Sequence, residues 1–130
     1  MAVVDASVLV ELLSHGAHAD VARERLDAEE HTLCAPHLID AEIGHALRRS
    51  VRLGEFSAEA AGLALWEVDE LPIERVEHEF LIHVAWGLRD NFSFYDGLYV
   101  ALALTIDEPL LTFDARLARS GVELPIEVLA

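Results

Sequence analysis

"AVVDASVLVELL", residues 2–13, is a short apolar run that meets an acid and passes straight into helical spacing. Ala2 to Val4 reads as a strand ending at Asp5, and Val8 to Leu13 reads as a helix that Gly16 can stop. The same order returns downstream. Ala19 to Glu29 is charged and helical, Thr32 to Ala35 is a short apolar run closed by Pro36, and Leu38 to Leu53 is a long amphipathic helix with Gly54 as its C-cap. Ser57 caps a helix to Glu70, Pro72 breaks it, and Ile73 to Val76 forms a strand. Glu77 to Leu88 reads as helix, as does Phe94 to Ile106, which is apolar almost all the way round. Leu110 to Thr112 is a strand after Pro109, Asp114 to Arg119 a last helix stopped by Gly121, and Ile126 to Leu129 a closing strand. Strands alternate with helices and no hairpin dipeptide joins two strands. The pattern predicts an α/β fold of three layers, α/β/α, around a mainly parallel central sheet, with one domain spanning residues 1–130.

The 130 residues are 53% hydrophobic, enough for one real core. The longest apolar runs fall short of the roughly 20 residues of a membrane crossing, and no basic, apolar leader opens the chain. Cys34 is the single cysteine, so no intrachain disulfide can form, and the cytoplasm is the expected compartment. The formal net charge of −15 opposes binding to a phosphate backbone unless carboxylates are spent around a cation. All nine basic residues are arginine, the side chain suited to bidentate phosphate contacts, although codon bias produces the same count.

In a parallel sheet the strand ends that lead into helices share one edge, where ligands bind. Four acids follow such ends or lie close to them: Asp5 in "VVDAS", Glu42 in "LIDAEIGHAL", Asp96 in "SFYDGLYVALAL" and Asp114 in "LLTFDARL". Each alone has a helix-capping explanation; Ser93, three residues before Asp96, makes a cap with it. Together they would repel, and burial plus like charge would raise their pKa values unless a cation sat among them. All-oxygen ligation suits Mg²⁺ or Mn²⁺, and the reaction class is metal-assisted phosphodiester hydrolysis.

With those four motifs in order, the chain resembles the PIN-domain ribonucleases, specifically the VapC toxins of bacterial type II toxin–antitoxin pairs. The resemblance spans nearly the whole chain. It implies an endoribonuclease using Mg²⁺ or Mn²⁺, an RNA substrate, a VapB-like antitoxin and a homodimer. It makes Asp5, Glu42, Asp96 and Asp114 the catalytic quartet, with Asp5 and Asp96 touching the metal and Glu42 and Asp114 doing so directly or through water. Ser7 and Thr112 match small hydroxyl positions that orient carboxylates or waters, against the alternatives of capping and strand propensity. Gly97 stands where alanine is common, and Phe113 where a polar or basic residue is frequent.

Arg48, Arg49, Arg52, Arg89 and Arg116 are candidates for RNA phosphates, with Arg119 posing the same question; complementing a helix dipole is the competing role. Ala61, Ala64, Leu65 and Val68 form a stripe expected to face the core, while Leu63 and Trp66 lie on another stripe that would meet a partner or pack within the chain. His15 and His18 at i, i+3 are weak as a zinc pair, and His45 reads as structural. Two other functions compete: a catalytically inactive PIN-like module that only binds a partner, and a receiver-like signalling domain, which normally needs a lysine that this chain lacks.

Overall fold

The computed structural model describes residues 1–29, 32–120 and 123–130. Five strands, β1 (Val3–Val4), β2 (Leu33–Pro36), β3 (Ile73–Val76), β4 (Leu110–Thr112) and β5 (Ile126–Val128), form one sheet in the order β3-β2-β1-β4-β5. Every pairing is parallel; Val3 aligns with both Cys34 and Leu110, and Val4 with Leu111. The central strands are short and apolar because helices cover both their faces, and Val3, Val4, Leu110 and Leu111 are fully buried.

The helices are α1 (Ala6–Leu13), α2 (Ala19–Asp27), α3 (Leu38–Arg52), α4 (Ala58–Glu70), α5 (Ile82–Gly87), α6 (Phe94–Ile106) and α7 (Ala115–Ala118). One layer packs α1 on α2 and α3, and α3 on α4; in the other, α5 packs on α6, which lies across β1, β2 and β4. After β3 the chain reverses its direction across the sheet, and the connection to β4 carries α5 and α6 to the opposite face. That reversal makes the boundary between β1 and β4 the switch point, and the loops after these two strands open a crevice there.

Most predicted elements are present, with ends shifted by a residue or two, and the differences have local causes. The helix expected over Glu77 to Leu88 is split into a 3-10 turn, His78–Phe80, and the short α5. His78 is committed elsewhere, since its Nε2 accepts the Leu38 amide at 2.9 Å at the start of α3, and Leu81 turns fully inward at the junction. Leu65 was expected on the core stripe of α4; Ala61, Ala64 and Val68 are buried, but Leu65 is half-exposed at its flank. The stop after α1 is His15, not Gly16: His15 takes the left-handed conformation (φ 54°), and the Gly16 amide donates back to the Glu11 carbonyl at 3.0 Å. Gly54 does close α3 as expected, at φ 74°, with the Glu55 amide reaching the Ser50 carbonyl at 2.9 Å. Gly121, expected to stop the last helix, lies outside the described residues.

Helix α6 is the central support, with Gly97 to Ala103 buried without interruption. Gly97 faces α5, where an added Cβ would sit 3.4 Å from the Ala85 carbonyl oxygen and 3.6 Å from its Cβ, ordinary contact distances. Gly97→Ala should therefore stabilise the fold by ~0.5–1 kcal/mol through helix propensity, a rise of a few degrees in melting temperature. A fall on thermal denaturation would show that α5 and α6 are packed too closely for a methyl group.

Candidate active site

Asp5 is the first residue beyond β1, and its amide continues the ladder to the Leu111 carbonyl at 3.2 Å. It caps α1: Oδ1 accepts from the Ser7 amide at 3.1 Å, the Val8 amide at 3.4 Å and the Ser7 hydroxyl at 2.6 Å. Oδ2 accepts from the hydroxyl of Thr112, which is buried at the end of β4. The same two hydroxyls fasten the loop after β4, because Ser7 Oγ accepts the Phe113 amide at 3.0 Å and Thr112 Oγ1 accepts the Asp114 amide at 2.9 Å. Capping and orientation of the carboxylate are one arrangement here, not alternatives.

Burial pushes the Asp5 carboxyl up to about 6, against the pull of the Ser7 and Thr112 hydroxyls and the two amides. The expected raise is therefore found at Asp5, but burial causes it and not neighbouring acids. At Asp114 the direction reverses. Its carboxylate takes the Arg116 guanidinium in a fork, Nη2 to Oδ2 at 2.7 Å and Nε to Oδ1 at 3.0 Å, and this pairing holds it below the usual carboxylate range.

Asp96 lies in the first turn of α6, its amide donating to Ser93 Oγ at 3.1 Å. Asp96 and Asp114 line one small cleft of about 270 Å³ together with Arg116. Glu42 faces a larger neighbouring cleft, and its Oε1 accepts the Tyr99 hydroxyl at 2.5 Å. Tyr99, almost wholly buried on α6, was missed from sequence, although it lies three residues from Asp96 and so on the same helix face. Its hydroxyl pKa is driven far up, first by burial, then by the bond to Glu42 and the charges of Glu42, Asp5 and Asp96. Three acids thus surround one phenol, and the fourth is tied to Asp5 through Thr112. With the side chains as they stand, no three Asp, Glu, His or Cys groups among the described residues converge on one point, since Tyr99 takes up Glu42 and Arg116 takes up Asp114.

The arginine candidates divide. Arg49 and Arg116 line the larger cleft; Arg48 and Arg52 are exposed but are not among its lining residues. Arg89 stacks its guanidinium over Trp86 at 4.8 Å and donates to that residue's carbonyl at 3.0 Å, and it lines neither cleft. His45 is exposed on the larger cleft's wall, and the His18 ring stacks on Phe113 with centroids 5.9 Å apart. Leu63 and Trp66 are strongly exposed on α4 and do not pack within the chain.

Residues 2–122 match the family described as "PIN domain". The chain belongs to the PIN-domain family. Among VapC relatives in Mycobacterium tuberculosis, Ribonuclease VapC1 is 49% identical over 128 residues, covering 97% of this chain and 94% of that protein. Ribonuclease VapC3 is 39% identical over 119 residues, covering 91% and 85%. In solved structures this PIN domain resembles Mycobacterium tuberculosis VapC20, a sarcin-ricin loop cleaving toxin, with a TM-score of 0.73 at 17% identity, covering 95% of this chain and 97% of that one. It also resembles VapBC2 from Rickettsia felis, bound to a DNA fragment from their promoter, with a TM-score of 0.69 at 14% identity and 98% of each chain covered. At those identities the structures establish the fold alone.

Because Asp5 binds its proton more tightly folded than at the unfolded value of 3.8, stability falls as pH rises from about 4 to 6 and stays lower above that window. In metal-free buffer, Asp5→Asn should abolish this fall and melt several degrees above wild type at pH 7.5, the gain being on the order of 2–3 kcal/mol. An unchanged pH profile would remove burial as the source of the Asp5 shift. Tyr99→Phe, which deletes only the hydroxyl, should lower turnover on RNA in the wild type yet add nothing in a Glu42→Gln background; additive losses would disconnect Tyr99 from Glu42.

Proposed function

We propose that this PIN domain is the toxin of a VapBC-type pair, an endoribonuclease dependent on Mg²⁺ or Mn²⁺ that hydrolyses RNA phosphodiester bonds. In this reading it acts in the cytoplasm as a homodimer restrained by a VapB-like antitoxin, with Leu63 and Trp66 offered to a protein partner. The observation that carries it is Asp5: a buried carboxylate at the switch point, held from both sides by hydroxyls, with no ion-pair partner among the described residues. The relatives named ribonucleases support the same chemistry.

The donor set fits a hard divalent ion. Asp5, Glu42, Asp96 and Asp114 supply oxygen only, and a buried acid without a basic partner is the kind of group a cation stabilises. Asp5 and Asp96 would hold the ion directly, with Glu42, still held at Oε1 by Tyr99, reaching it directly or through water, and Asp114 doing so once Arg116 lets go. When bound, such an ion supplies Lewis acidity and neutralises charge on the phosphodiester. The chain's own residues do the rest. Ser7 and Thr112 fix the orientation of Asp5, while Tyr99, whose raised pKa keeps it protonated, acts only as a donor to Glu42. Arg116, exposed and placed at both clefts, neutralises Asp114 and is free to exchange that carboxylate for an RNA phosphate.

Purified protein should cut RNA with Mn²⁺ and stop when a chelator is added, and Asp96→Asn should lower cleavage roughly 100-fold or more. Saturating Mn²⁺ should also raise the wild-type melting temperature by mass action, and much less so in Asp96→Asn. Absence of both cleavage and thermal shift would favour the inactive partner-binding module. The receiver-like reading is set aside by the family match.

A further inference from the structure

The larger cleft, about 930 Å³, begins at the acidic edge and extends away from it. Ser7 and Glu42 line its inner end, Tyr95 and Phe113 supply aromatic wall, and Arg49 and Arg116 are its basic groups. Tyr95 is 63% exposed on the first turn of α6, one residue before Asp96, and its ring lines the cleft. Phe113, one residue before Asp114, is half-buried and stacks on the His18 ring. The two aromatic rings therefore directly precede two of the proposed catalytic acids, on two different elements.

From this geometry we infer that the cleft is a nucleobase subsite, taking one unstacked base of a single-stranded RNA against the Tyr95 and Phe113 rings beside the scissile phosphate. The inference rests on the nuclease reading and names the part of the substrate that the site recognises. It also resolves the difficulty raised by charge. With two arginines at the cleft in a chain of net charge −15, counterion release contributes little, and contacts that do not depend on phosphates carry much of the affinity. Stacking is such a contact. Each stacked base contributes about 5- to 150-fold in affinity, the equivalent of ~1–3 kcal/mol, and it is insensitive to salt. The two arginines then place the flanking phosphates, and they are few enough for the salt dependence to stay shallow. A duplex, whose bases are stacked on one another, cannot offer a base to the rings.

The test uses full-length Asp96→Asn, which should bind RNA without cutting it, and a short labelled single-stranded RNA. Adding Tyr95→Ala should weaken binding about 5- to 150-fold with no change in the slope of log affinity against log salt. Tyr95→Phe, which keeps the ring, should bind like the parent, and Phe113→Leu, which keeps the bulk, should weaken binding as Tyr95→Ala does. Arg49→Ala should instead reduce the salt slope by about 0.7, the value for one phosphate on a single strand. The same RNA as a duplex, or built with abasic residues, should bind weakly and equally to the parent and to Tyr95→Ala. Equal binding of intact and abasic RNA, or no loss on Tyr95→Ala, overturns the subsite. So does a loss confined to an antitoxin peptide, which would make the cleft a protein site. Wild-type cleavage separates the two readings: undiminished kcat/KM in Tyr95→Ala sinks the subsite and leaves the nuclease standing, whereas no cleavage and no RNA binding sinks both.

Discussion

Asp5 carries a carboxylate where the fold leaves it almost no water, directly after the innermost strand, and two hydroxyls and two amides are spent on holding it. Those bonds do not offset burial, since its pKa still rises to about 6. A protein selected for stability alone would place an apolar or amide side chain there. Keeping the acid makes the molecule less stable than its packing allows.

The rest of the edge is organised around that residue. Thr112 donates to Asp5 and accepts from the Asp114 amide, so the ends of β1 and β4 move as one piece. On the opposite layer, α6 brings Asp96 in its first turn and Tyr99 one turn later, and Tyr99 reaches across to Glu42 on α3. The two helix layers thus meet at this edge through a phenol–carboxylate bond. Buried α6 gives that bond its rigidity, because seven consecutive residues of the helix are packed and cannot shift independently. The charges farther out are handled differently: Arg75 pairs with Asp40, and Arg25 with Glu29 and Glu127. Arg116, though engaged by Asp114, stands exposed at both clefts.

Much of this was legible in the chain. The succession of short apolar runs and amphipathic stretches predicts the parallel sheet, and α6 begins at Phe94 and ends at Ile106 as its pattern predicts. The acids were visible because Asp5 and Asp114 follow strands, Asp96 opens a helix and Glu42 lies early in the helix after β2. What a carboxylate does next was not visible. The fork between Arg116 and Asp114 reverses the expected direction of the pKa shift, and the bond between residues 42 and 99 spans two layers. The 3-10 turn at His78–Phe80 was hidden for the same reason, since His78 caps a helix forty residues earlier in the chain.

Taken alone, the sequence determined the elements and their parallel arrangement, and it marked four acids near strand ends or helix starts, because periodicity and helix capping act over a few neighbouring residues. Only the tertiary structure decided which of those acids is dry, which is already neutralised, and which is held by a tyrosine. Solvation and pairing of a charge depend on groups that are close in space and distant along the chain, and no local pattern records them.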